Sequence, residues 1–299
     1  MTIHVVGNCT MDVIFAVDRF PAPGETLIAR DRRIELGGQG VNQAVVARRF
    51  GADVRLVAPL GADADGEVAA AALRGEGIDP GALPRVAVAT DHSIIYVAPD
   101  GENTIVSTAA AAESLTPHLV EAALARLGPG DWAMAQGNLT FETTRTALEA
   151  ARARGARTFL NPAPVRWSAG ALWGLCDVAV LNRLEAQILT GCAAPAEAVR
   201  ALRRAGVGLA VVTLGPDGAL WAGPDGEGAC AAAPTRAIDA AGAGDSFCGA
   251  LIAALAAGRS AACALSVAAR AAALTVARRG THASFPTRDE AEAILKGAP

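Results

Sequence analysis

Residues 239–257 read DAAGAGDSFCGALIAALAA, a cluster of small residues that runs directly into an alanine-rich helical pattern. Glycine and alanine let the main chain approach an anion closely, and a helix N-terminus offers N–H groups that have no intrahelical acceptor. The stretch therefore predicts a nest that holds a phosphoryl group. Asp245 would stand beside that anion, where a carboxylate can take a proton from an attacking hydroxyl. The alternative interpretation is that Asp245 only caps the helix.

Strand-like and helix-like segments alternate along the chain around this stretch. Strands are predicted at residues 3–6, 54–60, 132–135, 158–160, 178–181 and 209–213, and helices at 41–50, 66–74, 117–127, 143–154, 243–257 and 261–277. Such a rhythm is typical of βαβ crossovers, which place the strands in a mostly parallel sheet.

Two stretches, at about residues 12–36 and 86–107, depart from this rhythm. They alternate apolar and polar residues, and they are broken by Pro21 and Pro23 in the first stretch and by Asp100-Gly101 in the second. Alternation of this kind favours antiparallel strands, with a turn at Asp100-Gly101. We expect the two insertions to pair into one small sheet.

Composition excludes several classes of protein. The 299 residues carry a net charge of −4, which provides no basic surface for nucleic acid or anionic lipid. No apolar run approaches the length of a membrane span, and the first residues do not resemble a signal peptide, so we expect a cytoplasmic protein. The 6 cysteines are scattered without metal-ligand spacing, which argues against a zinc site or a disulfide framework.

A second glycine-rich segment, Gly37-Gly38-Gln39-Gly40-Val41-Asn42-Gln43, leads into the first helix. It matches neither the Walker loop nor the dinucleotide-binding pattern. The amide of Asn42 can both donate to and accept from hydroxyl groups, which suits a polyol ligand. Taken alone, the segment is also compatible with an ordinary tight turn.

A third segment, Asn182-Arg183-Leu184-Glu185, follows a predicted strand at the sheet edge where ligands bind in α/β proteins. Asn182 and Glu185 lie one helical turn apart and can face the same crevice. Glu185 would orient water on Mg²⁺, and Asn182 would reach a phosphate. The alternative interpretation is a helix start with no further role.

Together with Thr213-Leu214-Gly215, these segments occur in the order and spacing of the ribokinase-like (PfkB) carbohydrate kinases, which the chain resembles over nearly its whole length. The resemblance implies one domain, residues 1–299, with a three-layer α/β/α fold and a mostly parallel central sheet. The insertions at about 12–36 and 86–107 would form a β-rich lid that closes over the sugar and joins two subunits into a homodimer. The implied reaction is transfer of the γ-phosphoryl of ATP to a small sugar, with Mg²⁺ and K⁺ as cofactors.

The resemblance also implies roles for individual residues. Asp245 would be the catalytic base, with an anion hole formed by the N–H groups of Gly242, Ala243 and Gly244. The sugar would be held by Thr10, Asp12, Gly38, Asn42 and Asn138. The nucleotide and its Mg²⁺ would be held by Asn182, Glu185, Thr213 and Gly215. A monovalent cation would be held by Asp239, Ala241, Thr275, Arg278, Gly280 and Ser284.

Some positions depart from the ribokinase pattern. Thr10 replaces the usual asparagine, and Asn138 stands near the position of an acidic residue, so the identity of the sugar stays open. Two other functions are alternatives. A nucleoside kinase would need a base-stacking wall, for which Phe15 and Tyr96 in the lid are the candidates. A non-catalytic sugar- or nucleotide-binding regulator would bind ligand without consuming ATP.

Overall fold

The computed structural model describes residues 1–99 and 102–297, so the turn predicted at Asp100-Gly101 lies outside the described residues. The strands are β1 (Thr2–Val6), β2 (Thr10–Ala16), β3 (Asp31–Gly37), β4 (Asp53–Val57), β5 (Leu60–Gly61), β6 (Arg85–Val86), β7 (Asp91–Val97), β8 (Asn103–Ser107), β9 (Trp132–Gln136), β10 (Arg157–Asn161), β11 (Val178–Asn182), β12 (Leu209–Thr213), β13 (Ala219–Gly223) and β14 (Gly226–Cys230). The α-helices are α1 (Gln39–Arg49), α2 (Ala64–Gly75), α3 (Ala110–Glu113), α4 (Pro117–Ala123), α5 (Phe141–Ala153), α6 (Arg183–Thr190), α7 (Pro195–Arg204), α8 (Ala243–Ala256), α9 (Ala261–Val276) and α10 (Arg288–Lys296). Short 3₁₀ helices lie at Pro80–Ala82, Gly170–Leu175, Gly215–Asp217 and His282–Ser284.

The central sheet has the strand order β14-β13-β12-β11-β10-β9-β1-β4. All pairings from β12 to β4 are parallel, which confirms the predicted sheet. The last two strands, β13 and β14, add an antiparallel hairpin at one edge that the sequence analysis did not predict. The carboxyl ends of the parallel strands share one edge, which is where α/β sheets of this kind bind ligands.

Helices cover both faces of this sheet, because successive residues of each buried strand point in opposite directions. Val5 packs in the core shared with α1, α8 and α9, whereas the next residue, Val6, packs in a core shared with α4 and α5. A further core beneath α6 and α7 completes the second face. The fold is therefore the three-layer α/β/α arrangement.

The two insertions pair into one four-stranded sheet of order β3-β2-β7-β8, as expected. The hairpin-like pairs β2–β3 and β7–β8 are antiparallel. The expectation of antiparallel strands is confirmed within each insertion, whereas β2 and β7, one from each insertion, run parallel. Neighbouring parallel strands need a long connection. Here β3, α1, β4 and α2 lie between β2 and β7 along the chain.

No helix within residues 1–99 and 102–297 is both long and apolar enough to cross a membrane.

Candidate active site

The glycine-rich turn and the start of α8 place Asp245 at the edge of the central sheet. Its carboxylate does not cap the helix. Oδ2 accepts a hydrogen bond from Asn42 Nδ2 at 2.9 Å, and Oδ1 accepts one from Gln43 Nε2 at 2.9 Å. Both donors belong to α1, which packs against α8. The carboxylate is therefore held by another helix rather than used to end its own.

Gly242 sets the geometry of the turn. It precedes α8 with a φ of 72°, in the left-handed region, and an added Cβ would lie 2.7 Å from the ring of Phe285. Only glycine satisfies both conditions without strain. The first N–H groups of α8 have no acceptor within the helix, and that of Ala243 makes a long hydrogen bond, 3.3 Å, to the carbonyl of Ala240 in the turn.

Asp245 titrates above the usual range of an aspartic acid. Burial raises the pKa of its carboxyl to about 6, and the nearby charges of Asp12 and Glu185 act in the same direction. The hydrogen bonds from Asn42 and Gln43 oppose the shift. At neutral pH the group is ionised but weakly stabilised, which suits a proton acceptor.

The four-stranded sheet β3-β2-β7-β8 is called the lid below. One cavity, of about 800 Å³, lies between the lid and the carboxyl edge of the central sheet. The predicted sugar-binding residues all line it: Thr10, Asp12, Gly38, Asn42 and Asn138. Asp245 lines the same cavity. The structure thus brings together side chains from β2, α1, α8 and the loop after β9.

Asp12 is a second buried carboxylate of this cavity, besides Asp245. Its Oδ1 accepts the hydroxyl of Thr10 at 2.7 Å, so Thr10 orients Asp12. Burial raises the pKa of Asp12, while the hydroxyls of Thr10 and Ser93 lower it. A Cβ on Gly37 would lie 2.1 Å from the Asp12 carboxylate, which explains the glycine at the end of β3.

Three amide oxygens of residues that line the cavity have no hydrogen-bond partner in the described part of the chain. They are Oε1 of Gln39, Oδ1 of Asn42 and Oδ1 of Asn138, all buried. A buried amide oxygen without a partner costs about 1–3 kcal/mol. All three atoms are therefore available as acceptors for ligand hydroxyls.

A second cavity, of about 840 Å³, lies on the other side of the glycine-rich turn. Thr213, Gly215 and Asn182 line it, as predicted for the nucleotide. Alanine is the commonest residue in the rest of its wall, including Ala269, Ala272 and Ala273 of α9. Because Ala243 and Gly244 face this cavity while Gly242 and Asp245 face the first, the turn is the partition between them.

Asn182 and Glu185 form a reciprocal capping box at the start of α6. The Asn182 side chain accepts the Glu185 N–H at 2.9 Å, and Glu185 Oε2 accepts the Asn182 N–H at 2.8 Å. Glu185 Oε1 also accepts from Asn182 Nδ2 at 2.7 Å, so Asn182 engages both carboxylate oxygens, and both residues do start the helix. Glu185 itself does not line the nucleotide cavity, and burial raises the pKa of its carboxyl.

Asp239 ties the glycine-rich turn to the loop after α9. Its two carboxylate oxygens accept the N–H groups of Ala241 at 2.9 Å and Gly280 at 3.0 Å. The other residues predicted for a cation have their side chains engaged: Thr275 with Ser246, Ser284 with Thr281 and Arg278 with Glu290. Among the described residues no cluster of three or more His, Cys, Asp or Glu side chains is suited to a metal.

A family model, described as pfkB family carbohydrate kinase, matches residues 2–288. The chain belongs to this family. The carbohydrate kinase is 32% identical to the ribokinase of Haemophilus influenzae over 99% of both chains. It superposes with a TM-score of 0.90 on the crystal structure of ribokinase from Thermotoga maritima, at 30% identity and 99% coverage of each chain. The Arabidopsis thaliana ribokinase, solved with ribose and ATP, gives 0.87 at 26% identity, again over 99% of each chain.

The lid of this carbohydrate kinase turns its aromatic residues away from the first cavity. Phe15 and Tyr96 stack on each other, with ring centroids 6.0 Å apart, on the opposite face of the lid sheet from Ile14 and Ile95, which line the cavity. No aromatic side chain of the described residues lines that cavity. The base-stacking wall that a nucleoside kinase needs is not formed there.

Three residues of the carbohydrate kinase site were not predicted from the sequence. Gln43, Gln136 and Asn161 form a buried hydrogen-bonded chain that ends on Asp245. A glutamine in a helix interior and polar residues at two strand ends give no signal separately, because only the folded sheet brings them together.

Proposed function

We propose that this carbohydrate kinase transfers the γ-phosphoryl group of ATP to a hydroxyl of a small sugar. The observation that carries the proposal is the partition: one turn presents Asp245 to a polar cavity and Ala243 and Gly244 to an alanine-lined one. A sugar in the first cavity and a nucleotide in the second would meet at this turn.

The chain's own groups supply the steps. Asp12 and the free amide oxygens of Asn42 and Asn138 would hold sugar hydroxyls and orient one toward Asp245. The Asp245 carboxylate accepts the proton of that hydroxyl while the hydroxyl oxygen forms a bond to the γ-phosphorus. The bond between the γ-phosphorus and the bridging oxygen breaks, and ADP leaves with the electron pair. The N–H groups of Gly242, Ala243 and Gly244 stabilise the charge on the transferring group.

Mg²⁺ would enter with ATP, because Mg²⁺ prefers substrate phosphates and one or two carboxylates to an all-protein cage. Glu185 fits a role through Mg²⁺-bound water: it follows the cavity-lining residues Asn182–Leu184, and each of its oxygens, although bonded to Asn182, keeps a further lone pair. Bound there, Mg²⁺ would neutralise part of the negative charge on the ATP phosphates.

A monovalent cation such as K⁺ is proposed behind the turn. One carboxylate, Asp239, together with the hydroxyl of Ser284 and main-chain carbonyls of residues 241, 275, 278 and 280, is a donor set with little charge, which suits a monovalent ion. The cation would stiffen the link from Asp239 to Ala241 and Gly280 and so fix the anion hole. Rates measured in K⁺ against the same concentration of Na⁺ test this role.

The identity of the sugar is tested by ADP release with ATP and a panel of pentoses, 2-deoxypentoses, hexoses, sugar acids and nucleosides. We expect turnover with one of the small sugars and none with nucleosides. Turnover with nucleosides alone would establish the nucleoside kinase. Tight ligand binding without ADP release across the whole panel would favour the regulator and overturn the proposal.

A homodimer joined through the lid and a cytoplasmic location remain predictions. The outer face of the lid supports the dimer, since Val13, Ile34, Ile94 and Val106 form an apolar row across its strands. Of these, Ile34 is 46% exposed and Val106 is 64% exposed. Covering this row with a second copy would remove it from water.

A further inference from the structure

Gln43 connects the candidate base to the end of the central sheet. Its Nε2 donates to Asp245 Oδ1 at 2.9 Å and to Asn161 Oδ1 at 3.0 Å. Its Oε1 accepts from Gln136 Nε2 at 2.8 Å. Asn161 ends β10 and Gln136 ends β9, so one side chain of α1 joins two strands to α8. Every polar atom of the Gln43 side chain is therefore used.

These side chains form a series of hydrogen bonds, and the first bond, to a main-chain carbonyl, fixes the direction of the others. Asn161 Nδ2 donates to the carbonyl of Val180 at 2.9 Å, which leaves Asn161 Oδ1 as an acceptor. That acceptor, and the donor from Gln136, allow only one orientation of the Gln43 amide. In that orientation Gln43 presents N–H groups, never its oxygen, to the Asp245 carboxylate.

The arrangement is kept at a cost. Gln43 and Gln136 are fully buried, and Gln136 Oε1 has no hydrogen-bond partner among the described residues. Gly7 makes room for that oxygen, since a Cβ there would lie 2.2 Å from it. An apolar core at these positions would avoid the penalty for the unpaired oxygen. Retaining amides there is therefore explained by what they do to Asp245.

Gln43 does not touch the substrate. It is 0% exposed and does not line either cavity, whereas its neighbour Asn42 lines the sugar cavity. Each amide thus donates to a different oxygen of the Asp245 carboxylate. Asn42 donates to Oδ2 from the cavity side, and Gln43 donates to Oδ1 from the core.

We propose that Gln43, oriented by Asn161 and Gln136, is a positioning residue for phosphoryl transfer, which anchors Asp245 Oδ1 so that Oδ2 can accept the proton of the sugar hydroxyl. The proposal rests on the proposed function, because it assumes that Asp245 is the base.

The groups around the Asp245 carboxylate make Gln43 important for its charge as well as its orientation. Asp12 on β2 and Glu185 on α6 both disfavour the ionised form, and the thiol of Cys248 on α8 lies nearby and is un-ionised at neutral pH. The side chains that favour ionisation are Asn42 and Gln43. Removing the Gln43 bond should therefore raise the pKa of Asp245.

The experiment compares kcat, KM and the pH dependence of kcat/KM for Gln43→Met, Gln43→Glu and the wild-type enzyme, using the sugar identified by the panel. Methionine and glutamate nearly match glutamine in size, so packing changes little. Gln187→Met, at an exposed position of α6, is the matched control.

For Gln43→Met we expect kcat to fall about ten- to a hundredfold, KM to change less than threefold, and the acid limb of kcat/KM to move up by about one pH unit. Gln43→Glu places a second carboxyl against Asp245 and should be the slowest variant, with the largest shift. Gln187→Met should match the wild type.

A wild-type kcat and acid limb in Gln43→Met would overturn the inference, as would losses that follow thermal stability with no shift of the limb. If Gln43→Met does not fold, Gln136→Met decides in the same way, because it removes the hydrogen bond that Gln43 Oε1 accepts and so loosens the amide that anchors Asp245 Oδ1. Turnover in Asp245→Asn would instead show that the proposed base is wrong. A dead Asp245→Asn beside a normal Gln43→Met would reject only this inference.

Discussion

A base for phosphoryl transfer must be ionised, aimed at the hydroxyl and shielded from competing protons, and Asp245 combines these properties with 8% exposure. Replacing it by asparagine keeps the size of the side chain and removes the proton acceptor. We expect Asp245→Asn to lower kcat by about 10²- to 10⁴-fold, the range that general acid–base catalysis supplies. The measurement is initial ADP release at saturating sugar and ATP.

The control for that substitution is Asp225→Asn, the same change at an exposed position between β13 and β14. It should retain wild-type turnover. Thermal unfolding of both variants separates lost chemistry from lost folding. Full turnover in folded Asp245→Asn would contradict the role of the base.

The pH dependence follows from the same residue. The pKa of Asp245 is raised to about 6, chiefly by burial, and only the ionised form can take a proton. kcat/KM should therefore fall tenfold per pH unit well below pH 6 and level off above it, because this parameter reports the free enzyme. An acid limb near the ordinary aspartate value of about 3.9 would show that another group, or a solvated carboxylate, limits the rate.

At the scale of elements, the turn before α8 depends on one glycine. Gly242→Ala forces a Cβ into a left-handed residue and against the ring of Phe285, 2.7 Å away. We expect a loss of about 1–3 kcal/mol in unfolding free energy. We also expect a lower kcat, because the N–H groups of the turn shift from the transferring phosphoryl group.

The matched substitution is Gly75→Ala at the end of α2, where the added Cβ meets no atom within 4 Å. That variant should be as stable as the wild type and fully active. Chemical denaturation of the two alanine variants provides the comparison. Equal stability of Gly242→Ala and the wild type would mean that the turn is not held as the structure has it.

Local sequence patterns predicted the elements better than their mutual contacts. Asp239 to Asp245 and Gly37 to Gln43 could be placed because each feature lies within one turn of chain. The hairpin β13–β14 was missed, since its short glycine-rich strands have little period-two contrast. Successive residues of a strand, such as Ile14 and Phe15 of β2, face opposite ways, but which of them faces the cavity depends on how the lid sheet packs on the central domain. Gln43 needed two distant strand ends before its role was visible.

At the scale of the whole molecule, the lid sheet exposes its outer face. Val106 on β8 and Ile34 on β3 are its exposed members, joined across the sheet by Val13 and Ile94 in register. A closed dimer would cover this row by pairing it with the same row of a second copy, because a two-fold interface uses one patch twice. Covering it would also stiffen the lid over the sugar cavity, since Ile95 and Ile105 line that cavity from the inner face.

Val106→Lys tests this arrangement by placing one charge in each half of the symmetric patch. Like charges brought together and stripped of water oppose association, so we expect the variant to sediment as a monomer where the wild type sediments as a dimer. KM for the sugar should rise severalfold with a smaller change in kcat, because Val106 faces away from the cavity. Val88→Lys is the control, since Val88 is 39% exposed and lies outside the lid strands. A wild-type protein that sediments as a monomer, or a Val106→Lys dimer as stable as the wild type, would show that the lid does not join two copies.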